Sequence, residues 1–148
     1  PNNNSSVQVV ARADGTLALV YNQSSALDAT ARRVSLYDEI DDDGLADGTD
    51  AAESPLDDGD ARAAFWGAPR APMTLAISSD GGLTWPIRRD LDVGDGYCLT
   101  NNSRDGSNRE FSYPSIVEGS DGRLHIAYTY FRQAIKYVQL DSDRVVGA

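Results

Sequence analysis

An all-β protein assembled from small antiparallel units is the fold class this sequence predicts, on three observations. Strand-like alternation of apolar and polar residues recurs in short runs, at residues 7–12, 17–22, 115–118 and 124–130. Each neighbouring pair of runs is separated by a turn centred on Asp-Gly, "ADGT" in the first and "GSDGR" in the second. The two hairpins also repeat one another: "DGTLALVY" and "DGRLHIAY", 107 residues apart, agree at aspartate, glycine, leucine and tyrosine and are aliphatic together at two further places.

Taken in order, the first hairpin (7–12, 17–22) is followed by strands at 73–78 and 85–91, which completes a four-stranded unit. The second hairpin (115–118, 124–130) is followed only by a strand at 135–140. A succession of small sheets, each covering the faces of the next, is how a β-propeller is built. Outside one acidic stretch, no helix longer than about a turn is expected.

That stretch, residues 24–69, interrupts the first unit between its second and third strands and has no sustained period, so it reads as a long surface insertion. Its core, 38–60, holds eleven of the chain's 23 acids and no Lys or Arg, which leaves twelve acids against thirteen bases elsewhere. The net charge of −10 is therefore local. It neither excludes a polyanion-binding surface nor leaves a basic patch of the kind nucleic acid requires. Within it "EIDDDGLADGTD" (Glu39 to Asp50) has acids at positions one, three, five, nine and twelve and glycine at six, the ligand spacing of a calcium loop. It opens on Glu, closes on Asp instead of a bidentate Glu and lacks flanking helices, and such spacing arises easily where Asp is dense, so no metal is expected.

A chain of 148 residues has room for a core, and one that opens on Pro1 without methionine is expected to be a piece of a larger protein. No apolar run is long enough for a membrane-spanning helix, these residues hold no positively charged, apolar leader, so targeting information is expected to be either absent or cut away, and localisation stays open. Cys98 is the one cysteine and reads as an ordinary thiol. Asn3, Asn4, Asn22 and Asn101 head glycosylation triplets, which are frequent by chance. His125, between Leu124 and Ile126 but on the opposite strand face, reads as a packed or half-exposed histidine.

One stretch asks for more than a turn. In "SSDGGLTW" the Asp80-Gly81-Gly82 segment alone would make a hairpin, yet Ser78, Asp80, Gly82, Thr84 and Trp85 form a fixed pattern around it. The aspartate can accept backbone N–H bonds of the turn while the tryptophan packs, which locks a corner without performing chemistry. The pattern resembles the Asp-box, S-x-D-x-G-x-T-W, found between the third and fourth strands of a propeller blade. The likeness extends over "NNNSSVQVVARADGTLALVYNQS", "RAPMTLAISSDGGLTWP", "EFSYPSIVEGSDGRLHIAYTY" and "QAIKYVQLD", which are similar to the last two blades of the sialidase (neuraminidase) superfamily. The resemblance implies a six-bladed propeller with residues 1–23 and 70–92 as its penultimate blade, 24–69 as the acidic loop insertion, 93–111 as a connection and 112–148 as an incomplete last blade. In such propellers the last blade takes its outer strand from the N-terminal end of the domain, so the missing N-terminal blades would be this segment's partners.

Sialidases are retaining glycosidases that use tyrosine as nucleophile, because the carboxylate on the anomeric carbon of their substrate would repel an attacking carboxylate. The resemblance implies that role for Tyr113, in "SYPSIVEGSDG"; Pro114 stands where the family has a small polar residue, and a tyrosine packed at a blade interface is the alternative. It implies for Arg70, just before the Asp-box strand, one of three guanidinium contacts to the substrate carboxylate, against the alternative of a surface arginine beside an acidic loop. Arg109 is a rival for anion binding, Glu110 a supporting group near Tyr113 that could act as local base, and Arg132 a solvated side chain. The implied partner is a carbohydrate, a sialoglycan or another acidic glycan, with no cofactor, no metal, no nucleic acid and no membrane segment. The acid/base Asp, the Glu that activates the tyrosine and two further arginines would come from other blades. A non-catalytic glycan- or protein-binding propeller and a polysaccharide lyase on the same scaffold, with Tyr113 as base, are the competing functions.

Overall fold

The computed structural model describes residues 2–3, 5–28, 68–98 and 107–141, and the calcium-like spacing at 39–50 lies outside them. Two antiparallel sheets make up the described chain. The first has four strands in sequence order, β1 (Gln8–Ala11), β2 (Leu17–Asn22), β3 (Met73–Ser78) and β4 (Ile87–Asp92). The second has three, β5 (Phe111–Glu118), β6 (Leu124–Tyr130) and β7 (Ala134–Leu140). A single 3₁₀ turn, Ala26–Asp28, is the one helical element among the described residues.

The repeat seen in the sequence is a repeat of hydrogen bonds. In the β1–β2 turn the Arg12 N–H donates to the Thr16 carbonyl at 2.8 Å and the Gly15 N–H to the Arg12 carbonyl at 3.0 Å. In the β5–β6 turn, Gly119 to Arg123 and Gly122 to Gly119 repeat both at 2.8 and 2.9 Å. Each aspartate accepts the N–H two residues on, Asp14 from Thr16 at 2.9 Å and Asp121 from Arg123 at 3.1 Å. These short bonds from the carboxylate to its own backbone are why both turns favour Asp-Gly.

The core lies between the sheets. Ala18, Val20, Met73, Leu75 and Ile77 from one face of the first sheet meet Phe111, Leu124, Ile126 and Tyr128 of the second. Strand β3 is buried along its whole length, which explains why its only polar residues are the small Thr74 and Ser78, while β4 at the edge carries Arg88, Arg89 and Asp90 exposed, as edge strands that avoid stray pairing do. Fully buried aliphatics of this kind contribute roughly 1.5–3 kcal/mol each.

Polar ties fasten the sheets to one another. The Tyr128 hydroxyl on β6 donates to Asp92 on β4, and Lys136 on β7 reaches the same carboxylate at 2.7 Å. Burial, reinforced by the bond to Asp92, raises the Tyr128 pKa, so its phenol stays protonated. Glu118 at the end of β5 accepts the Ala13 N–H at 2.6 Å beside the buried Arg12. Asn22 is buried and donates to the carbonyls of Phe111 and Pro72, and Asn3 is buried with its amide on Pro69, so neither side chain is presented for glycosylation.

Candidate functional site

The Asp-box occupies the turn joining β3 to β4 and is closed by its own side chains. Asp80 accepts from the Thr84 N–H at 2.9 Å, the Thr84 hydroxyl at 2.6 Å and the Ser78 hydroxyl at 2.7 Å. Ser78 Oγ accepts the Gly82 N–H at 2.9 Å, and the Trp85 indole donates to the Gly82 carbonyl at 3.1 Å. The bonds from Thr84, side chain before backbone, and then from Ser78 favour the carboxylate and hold the Asp80 pKa at about 2. Every polar group of the motif is thus engaged within the turn, which fits a corner lock.

A second cluster forms where the segment entering β3 meets the start of β5. The Arg70 N–H donates to the Gly96 carbonyl at 3.0 Å, and the Arg70 carbonyl accepts the Phe111 N–H at 2.8 Å. Gly96 is required here: its φ is +65°, and a Cβ would stand 2.6 Å from the Arg70 nitrogen. This clasp carries the Arg70 guanidinium over the Tyr113 ring, 5.9 Å from its centroid.

Strand β5 begins at Phe111, earlier than residue 115, where alternation alone would start it. A bulge hides the extension: Ser112 pairs with Thr129 and Ser115 with Ala127, so Tyr113 and Pro114 together face the single residue Tyr128. Pro114 has no N–H to give the ladder, which is tolerated at a bulge. Tyr113 takes a φ of +51° and is 64% exposed, although Phe111, Ser112 and Pro114 around it are buried. Such a left-handed backbone at a bulky residue costs on the order of 1–3 kcal/mol and tends to occur at functional sites.

Glu110, three residues before the tyrosine, has no exposed surface. One carboxylate oxygen accepts from the Arg132 guanidinium and from the Ser112 hydroxyl at 3.1 Å. The other has no hydrogen bond and faces Arg70 Nη1 at 3.6 Å. Burial acts to lower the Arg132 pKa, but the hydrogen bond and attraction of Glu110 outweigh it, and the net shift is upward. The turn carrying Arg132 is unusual too. Phe131 and Arg132 both have φ of +55°, a type I′ geometry that Asn-Gly ordinarily supplies. Glu110 compensates with its backbone, its carbonyl accepting the Phe131 N–H at 2.9 Å, while Phe131 stacks on Phe111 at 5.4 Å.

The structure therefore brings Arg70, Glu110 and Tyr113 together and adds Arg132, a solvated side chain by sequence alone. The correction has a physical source: Arg132 is only 21% exposed because its partner is a buried carboxylate 22 residues away. The missed signal was "YFRQ", a tight turn without any turn-forming residue, which must be held from outside. Glu110 is committed to guanidinium groups, and among the described residues no hydrogen bond joins it to the Tyr113 hydroxyl. Arg109 stands apart from this contact. Its guanidinium grips Asp95 through bonds of 2.6 to 3.0 Å and lies over the Tyr97 ring, and the bond it donates draws the Asp95 pKa down. His125 is half-buried against the Tyr137 hydroxyl at 2.6 Å and near Asp121. Cys98 is buried with its thiol on the Ala68 carbonyl. Among the described residues no group of three or more His, Cys, Asp or Glu side chains is gathered as metal ligands.

Two packed antiparallel sheets with an Asp-box at the β3–β4 corner define an all-β protein of the Asp-box class. The family model for the BNR repeat-like domain matches residues 1–126, and the chain belongs to that family, whose repeats are of the sialidase type. No curated protein matches the chain in a sequence comparison.

Proposed function

We propose that this chain supplies the last two blades of a six-bladed, sialidase-type propeller, and that the intact protein removes a terminal sialic acid or related keto-acid sugar with retention. The first blade is the β1–β4 sheet with its Asp-box, and the second is the β5–β7 sheet, completed by a strand from another part of the domain. Tyr113 is the nucleophile: its oxygen bonds to the anomeric carbon as the glycosidic bond breaks, the leaving oxygen takes a proton, and water then releases the sugar and restores the phenol. Arg70 binds the substrate carboxylate. The acid/base group and the base for Tyr113 come from other blades.

The single observation that carries this reading is the Arg70 guanidinium set over the Tyr113 ring from a different sheet, with the phenol raised to the surface by the bulge. A second reading, a propeller that binds acidic glycans without cleaving them, is favoured by one fact: the carboxylate next to Tyr113 is already taken by arginines.

Turnover of an aryl sialoside by the Tyr113→Phe variant separates the two. Loss of turnover is expected, with a thermal midpoint nearly unchanged, because the hydroxyl is exposed and has no hydrogen-bond partner among the described residues. Activity equal to the parent refutes the nucleophile assignment, and a parent that binds the sugar without cleaving it establishes the second reading.

A further inference from the structure

Tyr113 stands where its own sheet holds the backbone least. At the bulge Tyr113 and Pro114 share one partner residue, so the β5–β6 ladder is interrupted where the phenol is presented. Side chains bond the two carbonyls just before it: Ser112 accepts from the Thr129 hydroxyl at 2.9 Å, and Phe111 accepts from the Asn22 amide at 3.0 Å. Asn22 belongs to the other sheet, at the end of β2, and the same Nδ2 donates to the Pro72 carbonyl at 3.3 Å. One amide nitrogen thus reaches the residue two places after Arg70 and the residue two places before Tyr113. Stability does not account for it. Asn22 is 1% exposed, and its Oδ1 meets no hydrogen-bond donor among the described residues. A buried acceptor left unpaired costs stability that an apolar side chain of similar shape would keep. What the amide supplies is direction, because both its partners are carbonyls and only its two N–H groups can face them.

We infer that Asn22 is a positioning residue that keeps the Tyr113 ring under the Arg70 guanidinium, by joining the segment before β3 to the start of β5 through one buried amide. The inference rests on the reading of Arg70 and Tyr113 as the working pair and adds the group that sets their separation. Asn22 acts only through the two backbones it bonds. The Phe111 N–H already donates to the Arg70 carbonyl at 2.8 Å, a single contact about which β5 can pivot, and holding the Phe111 carbonyl as well removes that pivot. A displacement of the order of 1 Å at a reacting group costs far more in rate than in stability.

The test is made on the intact protein with ring-labelled tyrosine, read by NMR, and on its turnover of an aryl sialoside. The Tyr113 signal is the one lost in Tyr113→Phe, and Arg70→Met gives the position it takes when no guanidinium lies over the ring. Asn22→Leu and Asn22→Ala both remove the two bonds, but Leu fills the space and Ala leaves a cavity, so Ala should melt lower. Both are expected to move the Tyr113 signal toward the Arg70→Met position to the same extent. Both should also lower kcat about tenfold with KM changed by about twofold or less, the split that a displaced nucleophile gives. A Tyr113 signal at the parent position in a folded variant overturns the inference, as does full turnover with a moved signal. So does a loss of turnover that follows the thermal midpoint, larger in Ala than in Leu, which marks a merely structural role. If Asn22→Ala does not fold, the Leu variant decides by its ring signal and its kcat. A parent inert toward the sialoside refutes the nucleophile reading by itself, and the ring signal then decides on Asn22 alone.

Discussion

Replacing Gly96 by alanine should damage the site from a position that touches no ligand. Two costs combine. Holding φ near +65° with a Cβ present costs roughly 1–2 kcal/mol. The new carbon would stand 2.6 Å from the Arg70 nitrogen and 2.7 Å from that of Ala71. Ordinary contacts lie near about 3.5 Å, so the backbone must yield by roughly 0.9 Å, an overpacking cost of about 1–3 kcal/mol. Together these give about 2–5 kcal/mol, or a fall in thermal midpoint on the order of 10 °C. The displaced segment carries the Arg70 guanidinium and is tied to β5 through Phe111, so preference for a carboxylate over its methyl ester should fall as well. Gly15→Ala is the matched control, since its φ is +84° and an added Cβ would meet nothing within 4 Å. It should show the conformational cost alone, with sugar binding intact. Scanning calorimetry and titration with an acidic sugar measure both effects. If Gly96→Ala melts within about 2 °C of the Gly15→Ala control and keeps its acid preference, the steric argument for the Arg70 clasp is wrong.

Asp80 makes a pH-dependent contribution whose sign follows from its lowered pKa. A carboxylate at about 2 when folded and 3.8 when not contributes fully above pH 3.8 and loses its contribution as pH falls toward 2. Urea melts of the parent and Asp80→Asn should therefore differ most near neutrality and converge at about pH 2, and a gap that widens in acid would contradict the hydrogen-bond account. Tyr128→Phe removes the donor that joins β6 to Asp92 and should cost about 1–3 kcal/mol in chemical denaturation, since the half-buried carboxylate keeps only Lys136. A variant as stable as the parent would show that this tie does not hold the sheets together.

Much of the fold was legible because it is set locally. Strands β2, β3 and β6 occupy the runs expected at 17–22, 73–78 and 124–130, and the three Asp-centred turns, at Asp14, Asp80 and Asp121, close through their own side chains within a few residues. The start of β5 was less legible, because a bulge shifts the alternation at Tyr113 and Pro114 and disguises paired strand as loop. Arg109 and Arg132 could not be told apart by type or by neighbours. One grips an exposed aspartate 14 residues away and the other a buried glutamate 22 residues away, and no periodicity records either pairing.

By itself, then, the chain's order of residues determined the hairpins, their repetition and the Asp-box corner, since these depend on φ preferences and hydrogen bonds within one turn. Tertiary structure alone decided which guanidinium groups meet Glu110 and that Tyr113 is turned outward. Those outcomes depend on desolvation and charge between segments that approach one another only after two separate sheets have packed.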